Sequence, residues 1–476
     1  MIHGRWMVPA LFACALLIAA YPAIGVTADN EAFDYYALGV GYQDIDDWPE
    51  AIANYTKAIE LDPTYTKAYH GRGVARAQSN DLAGAIADFT RVMTLDPAFV
   101  KAFINRGRAY TQQHNLEGAI ADFTRAIELS PRMAEPYCDR GEARRLNGDL
   151  KGAIEDDTAA IALNPYFGEA FAGRGRARLA QGDADGAIED VTRQISFHYE
   201  LPAAHRSLGD IHHRQGRSQE ALEAYSQAIT LDPQETAGYL GRAKVFMEQG
   251  KLDAAIADWS TVIGLRPMDR TVYLSRAQAL ERQGDIDGAI ADYTTLLGLV
   301  GGETDENAWV TYCRRAALKV RRGEEQSAIS DYTHAVLLNP SAADAYAQRA
   351  MLYWKARHLD EARNDCAKLI ELSPNDAHAY FNRALIRLEQ QDFQGAEDDN
   401  SRALTLEPHH VEAYINRAAS RERLGNFHGA IEDLEQALKQ AAPPLQDKIA
   451  LMLQGLKART AQPATALPPS HTAQTR

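Results

Sequence analysis

Cysteine is scarce. The chain has four in 476 residues, and one of them, Cys14, lies in the N-terminal segment. That excludes a scaffold built on disulfides. An excess of basic residues is also missing. With 50 Lys and Arg against 65 Asp and Glu the formal charge is −15. A nucleic-acid backbone needs a basic surface to neutralise its phosphates, so it is excluded as partner. Neither a Gly-x-x-x-x-Gly-Lys phosphate loop nor a Gly-x-Ser-x-Gly nucleophile elbow occurs, which removes the two commonest short catalytic signatures. Long apolar runs are confined to one, Val8 to Gly25.

That run has an address-like plan. Residues 1–7 carry Arg5 and no acid, the apolar stretch of 18 follows with Pro22 near its end, and Val26-Thr27-Ala28 ends it with small residues. This is the layout of a secretory signal peptide over 1–28, cut after Ala28. Eighteen apolar residues could also just span a bilayer as a retained anchor, but Pro22 would break such a helix. The expectation is an exported chain, periplasmic or secreted, with no stable membrane insertion after cleavage. Membrane anchoring by an uncleaved N-terminus is the alternative.

What the rest of the chain has is repetition. Prolines fall at 63, 97, 131 and 165, again at 233 and 267, and again at 340, 374 and 408, all on a step of 34. A fixed period of this length means stacked supersecondary units. Setting unit starts at 32, 66, 100, 134, 168, 202, 236, 270, 309, 343, 377 and 411 aligns twelve copies, the eighth longer by five residues around Gly301-Gly302. Place 20 is Ala in all twelve, from Ala51 to Ala430. Place 8 is Gly in the first six and Ala in the last six, and place 4 is aromatic in every unit except at His205. Places 4, 8 and 11 share one helix face, and places 20, 24 and 27 share a face of a second helix. Small residues facing each other let the two backbones approach. Gly near place 15 ends the first helix, and the proline stops the second. One such pair cannot bury both faces, so the stack is the stable object.

Tyr-x-x-Arg-Gly, then Ala-Ile-x-Asp-Tyr/Phe, then Pro, as in Phe123 with Ala119 and Asp122 or Tyr293 with Ala289 and Asp292, resembles the tetratricopeptide repeat family over residues 32–444. The resemblance implies an all-α solenoid of about twelve antiparallel helix pairs, a right-handed superhelix, and a protein-interaction scaffold with no catalytic residues, cofactor or metal. Departures are local: Tyr199, Gly301 and Ala442 replace the closing proline, and Asp157, Cys366 and Asn400 replace the aromatic at place 24, where looser packing is expected. Seams are expected at 195–203 and 300–308, giving blocks 29–201, 202–308 and 309–444. Leu445, Ile449, Leu453 and Leu456 then form one stripe of a capping helix over 445–459. The Ala/Pro/Thr-rich residues 460–476 read as a disordered tail.

Two patterns point beyond the fold. Place 7 is Arg and place 23 Asp in the same ten units, as in Arg72/Asp88, Arg106/Asp122, Arg276/Asp292 and Arg383/Asp399. The two units with Leu38 and Leu208 at the first place have Asn54 and Ala224 at the second. The coincidence predicts an Arg–Asp salt bridge inside each pair, fixing register more than adding stability. A ladder of anion-binding arginines is the alternative.

The second pattern is a stripe at places 2, 5, 9 and 12, which the resemblance makes the lining of a binding groove. It is charged and of mixed sign in units two to six. From unit seven it turns apolar: Leu240, Met247, Leu274, Val310, Cys313, Val320, Met351, Trp354, Phe381, Leu385 and Leu388. Such a stripe marks a site for an apolar or amphipathic peptide or protein segment. Self-association, a permanent interface in a cell-envelope assembly, and cover by neighbouring units are the alternatives. The Lys/Asn pair by which the family clamps C-terminal carboxylates is absent from places 5 and 9. His198, His205, His212 and His213 cluster, but His205 and His212 hold core places, so packing is expected. Adjacent carboxylates such as Asp156-Asp157 read as solvated or salt-bridged. Cys366 holds a core place, and Cys138 and Cys313 are free or bridge to another molecule.

Overall fold

The computed structural model describes residues 28–299 and 307–461. The expected signal peptide up to Thr27, the Gly301-Gly302 insertion and the tail after Ala461 lie outside them. Everything described is helix and short turn. The chain divides into two compact units, Met1–Glu248 and Gln249–Arg476, each described by itself. The division falls inside the seventh repeat, at neither expected seam.

The first unit contains α1 (Ala28–Gln43), α2 (Trp48–Leu61), α3 (Thr66–Gln78), α4 (Leu82–Leu95), α5 (Val100–Gln112), α6 (Leu116–Leu129), α7 (Glu135–Leu146), α8 (Leu150–Leu163), α9 (Gly168–Gln181), α10 (Ala184–Ser196), α11 (Leu201–Arg214), α12 (Ser218–Leu231) and α13 (Thr236–Glu248). The second contains α14 (Leu252–Leu265), α15 (Arg270–Gln283), α16 (Ile286–Leu299), α17 (Ala308–Arg322), α18 (Glu325–Leu338), α19 (Ala343–Lys355), α20 (Leu359–Leu372), α21 (Ala377–Glu389), α22 (Phe393–Leu406), α23 (Val411–Arg423), α24 (Phe427–Gln440) and α25 (Pro443–Ala461). Each helix packs on its chain neighbours within its unit, so both units are all-α stacks of helix pairs.

The pairs form where the sequence places small residues. The alanine at place 20 is completely buried in all twelve repeats. The residue at place 24 wedges beside it. The Tyr55 ring lies between two first helices: a Cβ added at Gly39 would come within 2.7 Å of it and one at Gly71 within 2.6 Å. Tyr225 sits likewise between Gly209 and Gly241, at 2.7 and 2.4 Å. One ring thus touches the first helix of its own repeat and that of the next, so place 24 joins repeats as well as helices.

The turns between paired helices need a left-handed residue. Seven are glycines, such as Gly284 with φ 89°, and five are not: Asp46, Asn80, His114, Arg357 and Gln391 hold φ between 58° and 64°. The next helix is capped locally. Asp81, Asn115, Asp149 and Asp183 each accept from the backbone N–H three residues on. At residues 195–203 the closing proline is missing and the backbone kinks instead, with His198 at φ 55° and Glu200 at φ 44°. The helix after the last repeat is longer than the 445–459 expected, and it buries Ile449 and Leu456 against α23 and α24.

Candidate functional site

In the described residues nine of the ten Arg–Asp combinations meet within one unit as bidentate pairs. Arg72 Nε and Nη2 donate to Asp88 at 2.9 and 2.7 Å, Arg276 to Asp292 at 2.8 and 2.6 Å, and Arg383 to Asp399 at 2.9 and 2.7 Å. Arg106 and Asp122 match them at 2.7 Å. Arg242 and Asp258 belong to different units. The carboxylates are buried and the guanidiniums mostly so.

The remaining donor, Nη1, reaches the preceding repeat. Nη1 of Arg72 donates to Thr56 Oγ1 at 3.1 Å, that of Arg106 to Thr90 at 2.9 Å, and that of Arg349 to Thr333 at 3.0 Å. These hydroxyls belong to the preceding repeat and themselves donate to backbone carbonyls, as Thr56 does to Ile52 at 2.7 Å. Each arginine therefore staples two repeats. The signal was available: place 25 is Ser or Thr before every stapled arginine, and Ala367 stands there before Arg383, whose hydrogen bonds among the described residues go only to Asp399. With Nε, Nη1 and Nη2 engaged, these arginines form no anion-binding ladder.

The wedge place explains where the surface opens. In the tenth repeat it holds Cys366, far smaller than a ring. A cavity of about 150 Å³ remains between α19 and α21, with α20 as its floor. Ala347, Ala350, Met351, Trp354 and Lys355 line one side, Asn382, Leu385 and Ile386 the other, and Cys366 and Leu369 the base. Its lining is almost wholly apolar. Burial pushes the Cys366 thiol up to about 12, so it stays protonated and acts as a small hydrophobe. The indole N–H of Trp354 donates to Glu389 at 2.8 Å, which fixes the ring at the rim.

Models of the tetratricopeptide repeat match residues 172–236, 240–303 and 347–411, with others at 100–133 and 411–443 and a TPR-repeat model at 42–79. The chain belongs to the tetratricopeptide repeat family. Between these matches the same helix pairs continue, α7 with α8 and α17 with α18. A comparison with curated proteins gives no match. Among solved structures, yeast Tom70 is 16% identical over 91% of this chain and 97% of its own, with a TM-score of 0.32. YrrB, a TPR protein with an unusual peptide-binding site, is 21% identical over 40% and 97%, at 0.35. Pseudomonas aeruginosa PilF is 16% identical over 46% and 99%, at 0.40. As a member of this family the chain is a protein-interaction scaffold, and an all-helical repeat fold of this kind is typically non-enzymatic. Among the described residues no helix is long and apolar enough to cross a membrane.

The repeat array treats the apolar stripe unevenly. Met351, Trp354 and Leu385 meet at the cavity. Leu274 and Val310 are exposed on their helices. Cys313 and Val320 are half-buried and pack against the α17–α19 core. Phe381 turns away from the cavity, its ring 4.6 Å from that of His410, and Leu388 is half-buried. Leu240 and Met247, both half-buried on α13, belong to the first unit.

Three further expectations change. Cys138 is buried and unavailable for an intermolecular bridge. His205 and His212 are half-buried and line an open cleft between α11 and α12, where Leu208 and Ala224 replace the Arg–Asp pair. Asp157 is neither solvated nor salt-bridged. It fills the wedge place between Gly141 and Gly173, 1% exposed with one oxygen unpartnered, and burial pushes it up to about 8.

Proposed function

We propose that the chain binds an apolar or amphipathic peptide segment through α19 and α21, and that one large apolar side chain of the ligand occupies the space above Cys366. The single observation that carries this reading is the missing ring. In seven repeats the fold places its own aromatic between successive first helices; in the tenth, Cys366 leaves that place open, walled by aliphatic side chains and Trp354. A ligand side chain would complete the packing the repeat leaves unfinished. Burying one such side chain contributes about 1.5–3 kcal/mol, which suits a reversible, micromolar interaction helped by neighbouring contacts.

The anchor is Trp354, held at the rim by Glu389. Exposed Met351 beside it gives an adaptable wall. The test is selection of displayed peptides on the full chain. Selected sequences should share one Phe, Trp, Leu or Met, and its replacement by Ala should weaken binding by about tenfold or more. Trp354→Ala should do the same. Enrichment without any shared apolar residue, or binding indifferent to Trp354→Ala, counts against the site. An obligate oligomer that covers α19 and α21 would replace this reading with a permanent interface.

The same proposal includes export. Its support is the Arg5, apolar-run and Val26-Thr27-Ala28 plan of the N-terminus.

A further inference from the structure

We infer that the turn between α22 and α23 and the start of α21 form a binding site for a divalent transition ion of the zinc class. The ligands are His378, Glu407 and His410. Their donor atoms all lie within 4.8 Å of one another. Three elements bring them together. His378 is the second residue of α21, its backbone N–H held by Asp376 at 2.9 Å. Glu407 is the C-cap of α22, its N–H bonded to Ala403. His410 is the N-cap of α23. Pro408 lies between the last two, and the His410 N–H donates to the Glu407 carbonyl at 3.2 Å, so the turn that presents both is closed on itself.

The chemistry of the set favours a metal over an ion pair. Two imidazoles and one carboxylate are a standard three-ligand set for zinc, leaving a fourth position for water or an incoming donor. Donors around tetrahedral zinc stand about 3.4 Å apart, so rotation of two exposed side chains brings the group to that spacing. Neither imidazole meets Glu407 as a salt bridge, and the side chains of His378 and Glu407 make no hydrogen bond with other described residues. A second layer is present. His410 Nδ1 accepts from the Ala413 backbone N–H at 3.4 Å and lies 3.4 Å from a Glu412 carboxylate oxygen; with Nε2 on a metal, Nδ1 carries the proton and Glu412 is its acceptor. The Phe381 ring against His410 holds the imidazole from its other side. This site shares no ligand with the cavity above Cys366, and the two inferences stand or fall separately.

The experiment titrates zinc into the full chain, prepared without a polyhistidine tag and stripped with chelator, by calorimetry, and repeats it with cobalt for its visible ligand-field absorption. Wild type should bind one equivalent saturably, and cobalt should give the spectrum of a nitrogen- and oxygen-ligated site. His378→Ala and Glu407→Gln, both at exposed positions, should each weaken binding by roughly 100-fold or more. Glu412→Gln should weaken it by roughly 10-fold. Unchanged far-ultraviolet circular dichroism shows that the variants are folded. Absence of saturable binding in wild type, or binding undiminished in the His378→Ala/Glu407→Gln double variant, overturns the assignment.

Discussion

Asp157 occupies a position where other repeats put a ring, and it changes what pH does to the chain. Its carboxyl is raised to about 8 in the folded state, chiefly by burial. A raised folded value favours folding fully below the unfolded value near 4, and this stabilisation is lost as pH rises through about 8. Asp139, pushed up to about 6 mainly by burial, acts in the same direction. The first unit should therefore lose stability from pH 4 to 8, and Asp157→Asn should remove most of the slope, with a gain of a few kcal/mol at pH 8.5. Denaturant unfolding at pH 5 and 8.5 measures it. The same scale holds the cleanest test of the arginine staple. Ala367→Thr supplies the hydroxyl that Arg383 lacks and should stabilise by about 0.5–1.5 kcal/mol, an effect that Arg383→Lys should abolish.

At the scale of paired helices, stability rests on close approach. A methyl at Gly241 would stand 2.4 Å from the Tyr225 ring, and one at Gly209 2.7 Å away. Gly241→Ala should cost about 1–3 kcal/mol through overpacking, although alanine is the better helix former. Tyr225→Leu should relieve part of that loss in the double variant, since both act on one contact. Much of this layer was legible in the sequence. The invariant Ala at place 20, the Gly/Ala at place 8 and the paired absence of Arg and Asp at Leu38/Asn54 and Leu208/Ala224 each leave a periodic mark. What was not legible was the reach of each ring and guanidinium into the next repeat. Periodicity marks places within a unit, whereas Tyr55 to Gly71 and Thr56 to Arg72 are contacts across the repeat boundary. Phe381 and Cys313 are half-buried, which the stripe alone does not state. A stripe at places 2, 5, 9 and 12 states which helix face a residue occupies, not whether the neighbouring turn covers it.

For the whole molecule, the repeat period and the family it marks define a chain that works by contact. Export predicts a mature chain that begins at Asp29, which intact-mass analysis of protein recovered from its native host would show; a retained Met1 with membrane-fraction recovery would favour the anchored alternative. The fold class was readable because twelve copies repeat the same spacing. The proposed binding surface was only half readable, because its defining feature is an open wedge place at Cys366, where seven other repeats carry a ring. The most direct measurement is therefore Cys366→Phe, which gives the tenth repeat the aromatic wedge that seven other repeats carry. The account predicts a folded chain of at least wild-type stability that no longer binds the selected peptides. Undiminished peptide binding in that variant would contradict it.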